Sequence, residues 1–191
     1  MKIKTILVFA VCLFAIASCK KEESVPQPES QKSFAYLKVG HQWIYDFRYN
    51  GGIYDSLTIS TVAENKDIYE MFMQDAVTKA TSYQYVEGEY LRSYDFGRDK
   101  SNAVRIASQN SKQGDTWADF NGQDSLFSTV KQIELSITVP LGTYSCTEIE
   151  TTYKKSGAKQ TYYVNKTNGL IKMVFTSSGS TASYELRKKN F

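Results

Sequence analysis

Few side chains in this sequence are of a type that could carry out catalysis. His41 is the only histidine of the chain, so a histidine-based metal site or a Ser-His-Asp triad would have to use it. It lies in a short glycine-containing stretch just before Trp43, where a solvated turn residue is the simpler interpretation. Glu148 and Glu150 are two positions apart in a predicted strand and would share a face. Glycosidases use paired carboxylates, but any exposed pair of glutamates gives this pattern.

Other sequence signatures of chemistry are missing. We find no G-x-S-x-G, no C-x-x-C, no phosphate-binding loop and no dinucleotide fingerprint. Residues 95–101 loosely resemble a calcium loop but lack the Asp-x-Asp-x-Asp-Gly spacing. Cys146 is the only cysteine after residue 19, and no positive setting that would activate its thiol is visible nearby. We therefore expect no catalytic residue, no metal site and no cofactor, and we expect Cys146 to be a small buried residue.

The charge balance of the chain argues against a nucleic-acid-binding protein. The chain has 23 Lys and Arg against 20 Asp and Glu. Lys2 and Lys4 belong to an N-terminal segment without acidic residues, so the rest of the chain is close to neutral. A nucleic-acid-binding domain is expected to be strongly basic, and we therefore expect no nucleic-acid partner.

The first 18 residues have the pattern of a signal peptide. A short basic start is followed by an uninterrupted apolar run from Ile6 to Ala17. A helix needs about 20 apolar residues to cross a bilayer, whereas the apolar part of a signal peptide has roughly 7–15. Residues 1–18 are therefore excluded from the fold.

The end of this segment resembles the lipobox of bacterial lipoproteins. Ile16-Ala17-Ser18-Cys19 gives an aliphatic residue, two small residues and a cysteine in the required order. The resemblance implies that Cys19 becomes the first residue of the mature chain and carries acyl groups, two or more of which anchor a protein stably. An ordinary secretory signal with an incidental cysteine is the alternative.

The residues after Cys19 predict a flexible tether. Lys20 to Glu23 resemble the surface-export signal of Bacteroidota lipoproteins, although a solvated charge cluster gives the same pattern. Residues 24–33 contain two prolines and only one apolar residue, Val25, so they cannot bury enough surface to fold. We interpret residues 19–33 as a lipid-anchored flexible tether and residues 34–191 as one domain. The resemblance implies an outer-membrane lipoprotein of the cell envelope and leaves surface exposure open.

The domain has the sequence pattern of an all-β protein. Trp43, Tyr45 and Phe47 alternate with other residues, as on one face of a strand. Residues 134–175 contain four such segments and three turns, including Asn168-Gly169, the strongest hairpin signal in the chain. No stretch of a dozen residues has convincing helical spacing. We predict a single curved antiparallel meander sheet, half-barrel or barrel-like, with few or no helices.

Some strands of this sheet are apolar on both faces. Between Cys146 and Ile149 the apolar side of the strand changes, which requires either burial on both faces or a bulge. Tyr162 and Tyr163 point to opposite faces in the next strand. A second apolar face needs a cover, which is provided either by the aromatic side chains of the chain itself or by an apolar ligand or partner.

One motif occurs twice. Residues 38–43 and 112–117 both read Lys-x-Gly-x-x-Trp and contain the only two tryptophans, Trp43 and Trp117. A glycine turn that sends a tryptophan inward at the start of a strand explains the pattern, so we predict that both are core residues. A duplicated half-domain and convergent turn chemistry both remain open.

A second short motif also occurs twice. Ser56 and Ser125 each lie between an aspartate and a leucine. Asp-Ser-Leu resembles the acceptor of general O-glycosylation in Bacteroidota, so both serines are candidate modification sites.

Several of these motifs together resemble a family of uncharacterised Bacteroidota lipoproteins. They are Tyr-x-x-Leu-x-x-Gly-x-x-Trp-x-Tyr from residue 36, Val-Pro-x-Gly-x-Tyr-x-Cys from residue 139, and the Gly-Leu-Ile-Lys that begins at residue 169. The resemblance implies a single curved antiparallel sheet. Some of these proteins are similar to the half-barrel of lipoprotein carriers such as LolA, which implies a concave face that holds acyl chains.

Three functions are consistent with this sequence. The first is a lipid-anchored, non-catalytic envelope protein that binds a partner or glycan or scaffolds an assembly. The second is a carrier of an apolar or acyl ligand in a half-barrel cavity. The third is a glycan-directed hydrolase. A wide apolar cavity would favour the second, and a cleft with converging carboxylates would favour the third.

Overall fold

The computed structural model of the protein describes residues 34–95 and 97–191. All strands among these residues belong to one antiparallel sheet of twelve strands. They are β1 (Gln42–Tyr49), β2 (Gly52–Asn65), β3 (Ile68–Gln74), β4 (Lys79–Glu87), β5 (Tyr90–Asp95), β6 (Val104–Ser108), β7 (Thr116–Phe120), β8 (Ser125–Val139), β9 (Gly142–Tyr153), β10 (Lys159–Asn165), β11 (Gly169–Ser177) and β12 (Ser180–Lys189). The predicted all-β meander is confirmed.

The sheet consists of two meanders of six strands each. Its order is β6-β5-β4-β3-β2-β1-β12-β11-β10-β9-β8-β7. The first and last strands, β1 and β12, therefore pair in the middle of the sheet, while β6 and β7 form its two edges. The sheet curls until these edges meet, which makes a nearly closed barrel rather than a half-barrel.

The duplicated tryptophan motif starts each meander with the same local geometry. The Gly40 N–H donates to the Thr61 carbonyl at 2.8 Å, as the Gly114 N–H donates to the Val130 carbonyl at 2.9 Å. Both glycines have φ near +90°, at +89° and +90°, a conformation that favours glycine. The two motifs are therefore structurally equivalent halves of one repeated arrangement.

The edges of the barrel are joined by side chains. The Trp117 indole N–H donates to the Arg105 carbonyl at 3.3 Å, and the Arg105 N–H donates to the Asp119 carboxylate at 3.0 Å. The Arg105 guanidinium also pairs with Asp119 at 3.0 Å and donates to the Ala118 carbonyl at 2.6 Å. These bonds cover backbone groups of β6 that would otherwise form an open sheet edge.

The turns within residues 134–175 follow the sequence pattern closely. The four predicted strands are β8 to β11, and Pro140-Leu141 forms the short connection between β8 and β9. Asn165 accepts hydrogen bonds from the Thr167 and Asn168 N–H groups through its side-chain oxygen, which fixes the turn before Gly169. Within the described residues the only helical segment is a 3₁₀ turn, Lys100–Asn102, and no helix there is long and apolar enough to cross a membrane.

The change of apolar face in β9 has its counterpart on the neighbouring strand. The β8–β9 register shifts between Val130 and Leu135, and Glu134 in this irregular stretch has φ +55°. Cys146 and Ile149 are both buried. The turn between β8 and β9 contacts β12, where the Leu141 N–H donates to the Leu186 carbonyl at 3.1 Å. Part of the second apolar face is therefore covered by the sheet itself.

One end of the barrel is covered by the segment before β1. Phe34, Tyr36 and Leu37 are buried there, and the Tyr36 ring packs edge-to-face on Trp43. A Cβ at Gly169 would lie 3.0 Å from the Tyr36 ring, so a side chain at this position would displace it. The described residues, 34–95 and 97–191, belong to one compact unit.

Candidate ligand-binding cavity

The interior of the barrel contains an apolar cavity of about 270 Å³, which we call the chamber. Side chains of a barrel strand alternate between inside and outside, and all six strands of the first meander, together with β10 and β11, contribute residues to the wall. The lining residues are Tyr36, Trp43, Tyr45, Leu57, Ile59, Met71, Met73, Ser82, Gln84, Leu91, Ser93, Asp95, Ile106, Ala107, Gln160, Tyr162, Val164, Leu170 and Met173.

Three methionines give the chamber an adaptable wall. Met71, Met73 and Met173 all line it, and they are the only methionines of the chain apart from Met1. A methionine side chain is unbranched and polarizable, so it can follow the shape of different apolar ligands.

The covered end of the chamber is built from three aromatic residues, Tyr36, Trp43 and Tyr45, and hydrogen bonds direct the polar atoms of the last two. The Trp43 indole N–H donates to the Asn168 carbonyl, and the Tyr45 hydroxyl donates to the Leu170 carbonyl, both at 2.9 Å. Burial raises the pKa of Tyr36 and of Tyr45 above the ordinary tyrosine value. Both tyrosines are therefore neutral, and this end is apolar and aromatic.

The other end of the chamber adjoins a second, more polar cavity of about 250 Å³, which we call the vestibule. Five residues line both cavities: Ser93, Asp95, Ile106, Gln160 and Tyr162. The remaining residues of the vestibule are Tyr94, Arg98, Asn102, Val104, Asn121, Leu126 and Tyr153. The barrel therefore encloses an apolar space that continues into a polar one.

The charged groups of the vestibule are already paired. Arg98 contacts the Asp95 carboxylate at 3.4 Å. It also donates to the Asn121 carbonyl and, at 3.0 Å, to the Gln123 side-chain oxygen. Asp95 has a side chain that is 67% exposed, so this ion pair lies where the vestibule meets solvent.

The uncharged polar groups of the vestibule are less fully engaged. The Tyr153 hydroxyl donates to the Gln160 side-chain oxygen at 2.7 Å, which leaves the Gln160 amide nitrogen with only the Met173 sulfur, at 2.7 Å, as a partner. Among the described residues, none forms a hydrogen bond with the Tyr162 hydroxyl. Burial is the main cause that raises the pKa of Tyr162, so this hydroxyl is protonated and available to a ligand.

The two tryptophans named from the sequence lie in the hydrophobic core. Trp43 is 3% exposed and Trp117 is 8% exposed. Trp43 lines the chamber, whereas Trp117 packs at the junction of β6 and β7 with Tyr90 against it. Cys19, the candidate lipidation site, lies outside the described residues.

The two candidate glycosylation serines lie on different strands. Ser56 is on β2 opposite Asp46 of β1, and its N–H donates a hydrogen bond to the neighbouring Asp55 carboxylate. Ser125 begins β8 opposite Phe120. Both side chains are half-buried.

The other residues considered for chemistry have structural partners. His41 stacks on Phe191 with ring centres 4.1 Å apart and donates through Nδ1 to the Tyr36 carbonyl. Glu148 accepts from the Tyr163 hydroxyl, and Glu150 contacts two lysines. Within residues 34–95 and 97–191, no three His, Cys, Asp or Glu side chains form a group that could hold a metal ion.

Cys146 is buried as expected, and burial raises the pKa of its thiol to about 11. Because the thiolate is the reactive form, this thiol is unreactive near neutral pH.

The chamber itself was not located from the sequence. Its inward-facing residues come from strands far apart in the chain, and alternation identifies a face without showing which space that face encloses. The sequence signal for the chamber is the apolar character of both faces of β9 to β11, because a second apolar face needs a cover or a ligand.

These features define a class of protein, a twelve-stranded antiparallel barrel with an internal apolar chamber. No model of a known protein family matches the chain, and no curated protein matches it. A solved structure from Bacteroides fragilis, described as a "putative exported protein with YmcC-like fold", is similar with a TM-score of 0.57 and 10% sequence identity, over 83% of this chain and 99% of that chain. This similarity shows the fold.

A second solved structure is a beta-barrel-like protein from Brucella abortus that consists of a domain of unknown function. It has a TM-score of 0.39 and 9% identity, over 82% of this chain and 99% of that chain.

Proposed function

We propose that the protein is a non-catalytic binding protein of the cell envelope that holds a small apolar or acyl-chain ligand inside its barrel. The observation that carries this proposal is the apolar chamber that continues into the polar vestibule. Ligand sites are typically concave, mostly apolar and fitted with a few convergent polar groups. The chamber supplies the apolar part, and Gln160 and Tyr162 supply polar groups at its boundary.

The volume of the chamber limits the size of the ligand. If a methylene group takes about the ~30 Å³ that a water molecule occupies in the liquid, a chamber of about 270 Å³ holds roughly nine such groups. An acyl or alkyl chain of about eight to ten carbons therefore fits with its polar end in the vestibule. Longer chains would extend into the vestibule or beyond it.

Ligand binding should depend on chain length. Each buried methylene contributes about 0.8 kcal/mol, which is roughly a fourfold change in affinity. We expect a series of straight-chain alcohols to displace a neutral fluorescent probe with affinity rising about fourfold per carbon, and this rise should end at about ten carbons, when the chamber is full.

A chain from residue 20 to 191 is suitable for this titration, because it contains the whole compact unit. Absence of probe binding and of displacement at micromolar concentrations for every chain length would remove support for the proposal. An affinity that keeps rising well beyond ten carbons would indicate binding outside the chamber.

Two observations support a location in the cell envelope. The similar Bacteroides fragilis structure is described as a "putative exported protein". The first 19 residues resemble a lipoprotein signal that ends at Cys19. We propose that the mature chain begins at Cys19 and is held by its acyl groups at the outer membrane, with residues 20–33 as the connection to the barrel.

The proposed anchor has a direct test. In Cys19→Ser the acylated residue is lost, so we expect the protein to move from the membrane pellet to the soluble fraction on ultracentrifugation in high salt. Cys146→Ser is the matched control, because Cys146 is buried in the barrel, and it should leave the membrane fraction unchanged. Continued pelleting of Cys19→Ser would contradict lipid anchorage at this residue.

A further inference from the structure

The chamber and the vestibule contain almost no charge that is free to meet a ligand. Asp95 is the only charged residue among the described residues that line the chamber. The vestibule adds Arg98, whose guanidinium contacts Asp95, Asn121 and Gln123. We infer that the ligand has an uncharged polar head, of the class of alcohols, amides and monoesters, on a single alkyl or acyl chain. This inference rests on the proposed function.

An anionic head, such as the carboxylate of a fatty acid, finds no free cation here. A charged group that leaves water without a paired charge is strongly disfavoured. Binding a carboxylate would require Arg98 to release Asp95, and Asp95 would then face the incoming negative charge. The same ion pair therefore removes the one available cation and adds a repulsive group.

A cationic head is not favoured either. The Asp95 carboxylate is the only acidic group on the chamber wall, and it is occupied by Arg98 at 3.4 Å. An ammonium group would have to compete with a guanidinium that is already in place and would lose its own hydration in the process.

An uncharged head matches the groups that are available. The Tyr162 hydroxyl has no hydrogen-bond partner among the described residues. Tyr153 orients Gln160 by donating to its side-chain oxygen at 2.7 Å, which leaves the amide nitrogen as a donor beside the weakly accepting Met173 sulfur. Both residues line the chamber and the vestibule. A hydroxyl or carbonyl oxygen placed there can accept from both.

The test compares ligands that have the same alkyl chain and different heads. Decanol, decanamide, decanoate and decylamine are used to displace a neutral naphthylamine probe from residues 20–191 near neutral pH. We expect the two uncharged ligands to displace the probe at concentrations roughly tenfold or more below those of the two charged ones.

The variant Asp95→Asn tests whether the Asp95–Arg98 ion pair, rather than the apolar chamber alone, disfavours ligands with a charged head. It frees Arg98 from its carboxylate, so decanoate should bind about tenfold or more tightly while decanol changes by less than about twofold. Glu70→Gln is the matched control. It removes the same charge from the opposite face of β3, because Met71 and Met73 face the chamber and Glu70 alternates with them. It should leave all four ligands unchanged.

The outcomes distinguish the inference from the proposed function on which it rests. Equal or tighter binding of decanoate or decylamine than of decanol would overturn the uncharged head while keeping the chamber as a binding site. An unchanged decanoate affinity in Asp95→Asn would do the same. Failure of the neutral probe and of all four ligands to bind would overturn the proposed function itself.

Discussion

Replacing Ser93 with phenylalanine is expected to weaken ligand binding by about 200-fold. Ser93 lies on β5 and lines both the chamber and the vestibule. The added ring would occupy the space of roughly four methylene groups, each worth about 0.8 kcal/mol of binding. Adding bulk to a filled core usually destabilises a protein, but here the ring enters existing space. Probe titration and thermal unfolding of the same samples measure both effects.

Two further variants make this result interpretable. Ser136→Phe adds the same ring at an exposed position of β8 and should bind the probe as the unchanged protein does. Ser82→Leu, at a buried position on the chamber wall, provides a smaller filling change if Ser93→Phe does not fold. Full binding by a folded Ser93→Phe or Ser82→Leu would show that ligands bind elsewhere.

Replacing Trp43 with alanine is expected to lower the free energy of unfolding by about 3–5 kcal/mol, the usual range for a large buried aromatic residue. Trp43 packs against Tyr36 and Phe191, and its indole nitrogen donates to the Asn168 carbonyl. The substitution removes these contacts at the covered end of the barrel. For a domain of this size the loss corresponds to a fall in Tm of roughly 10 °C.

Trp117→Ala should have a similar effect for a different reason. Trp117 joins the two edges of the barrel, and its loss leaves the Arg105 carbonyl without its indole partner. Phe120→Ala, at a position that is 54% exposed, is the control and should cost less than about 1 kcal/mol. Denaturant unfolding measures all three variants, and a loss below about 1 kcal/mol for either tryptophan would contradict a core role.

The local structure of this protein follows well from its sequence. The apolar alternation of Trp43 and Tyr45 predicts β1, and the Asn168-Gly169 pair predicts the turn between β10 and β11. These features depend on residues close together in the chain. The absence of helical spacing also agrees with the described residues, where only a short 3₁₀ turn interrupts the strands.

The closure of the barrel could not be predicted in the same way. The pairing of β1 with β12 joins strands at opposite ends of the domain, for example Phe47 with Tyr184, and no local pattern specifies such a partner. The junction of β6 and β7 depends on Arg105 and Asp119, which are ordinary surface residues when read in sequence. A half-barrel and a barrel therefore remained equally compatible with the strand pattern.

The repeated tryptophan motif shows both the value and the limit of sequence reasoning. Its two copies predict two inward tryptophans at strand starts, at Trp43 and Trp117. Only the structure shows that each copy begins a meander of six strands and that Gly40 and Gly114 form equivalent hydrogen bonds. The chamber could not be predicted from the sequence for a related reason, since its volume depends on how side chains from many strands pack together.

Binding inside the chamber can be measured most directly through the methionines. Residues 20–191 contain three, Met71, Met73 and Met173, and all three line the chamber. In protein labelled with ¹³C at the methionine methyl groups, titration with decanol should shift all three signals and give nuclear Overhauser contacts between these methyls and the alkyl chain. Unchanged methionine signals and no contacts up to the solubility limit of decanol would contradict a ligand-binding barrel.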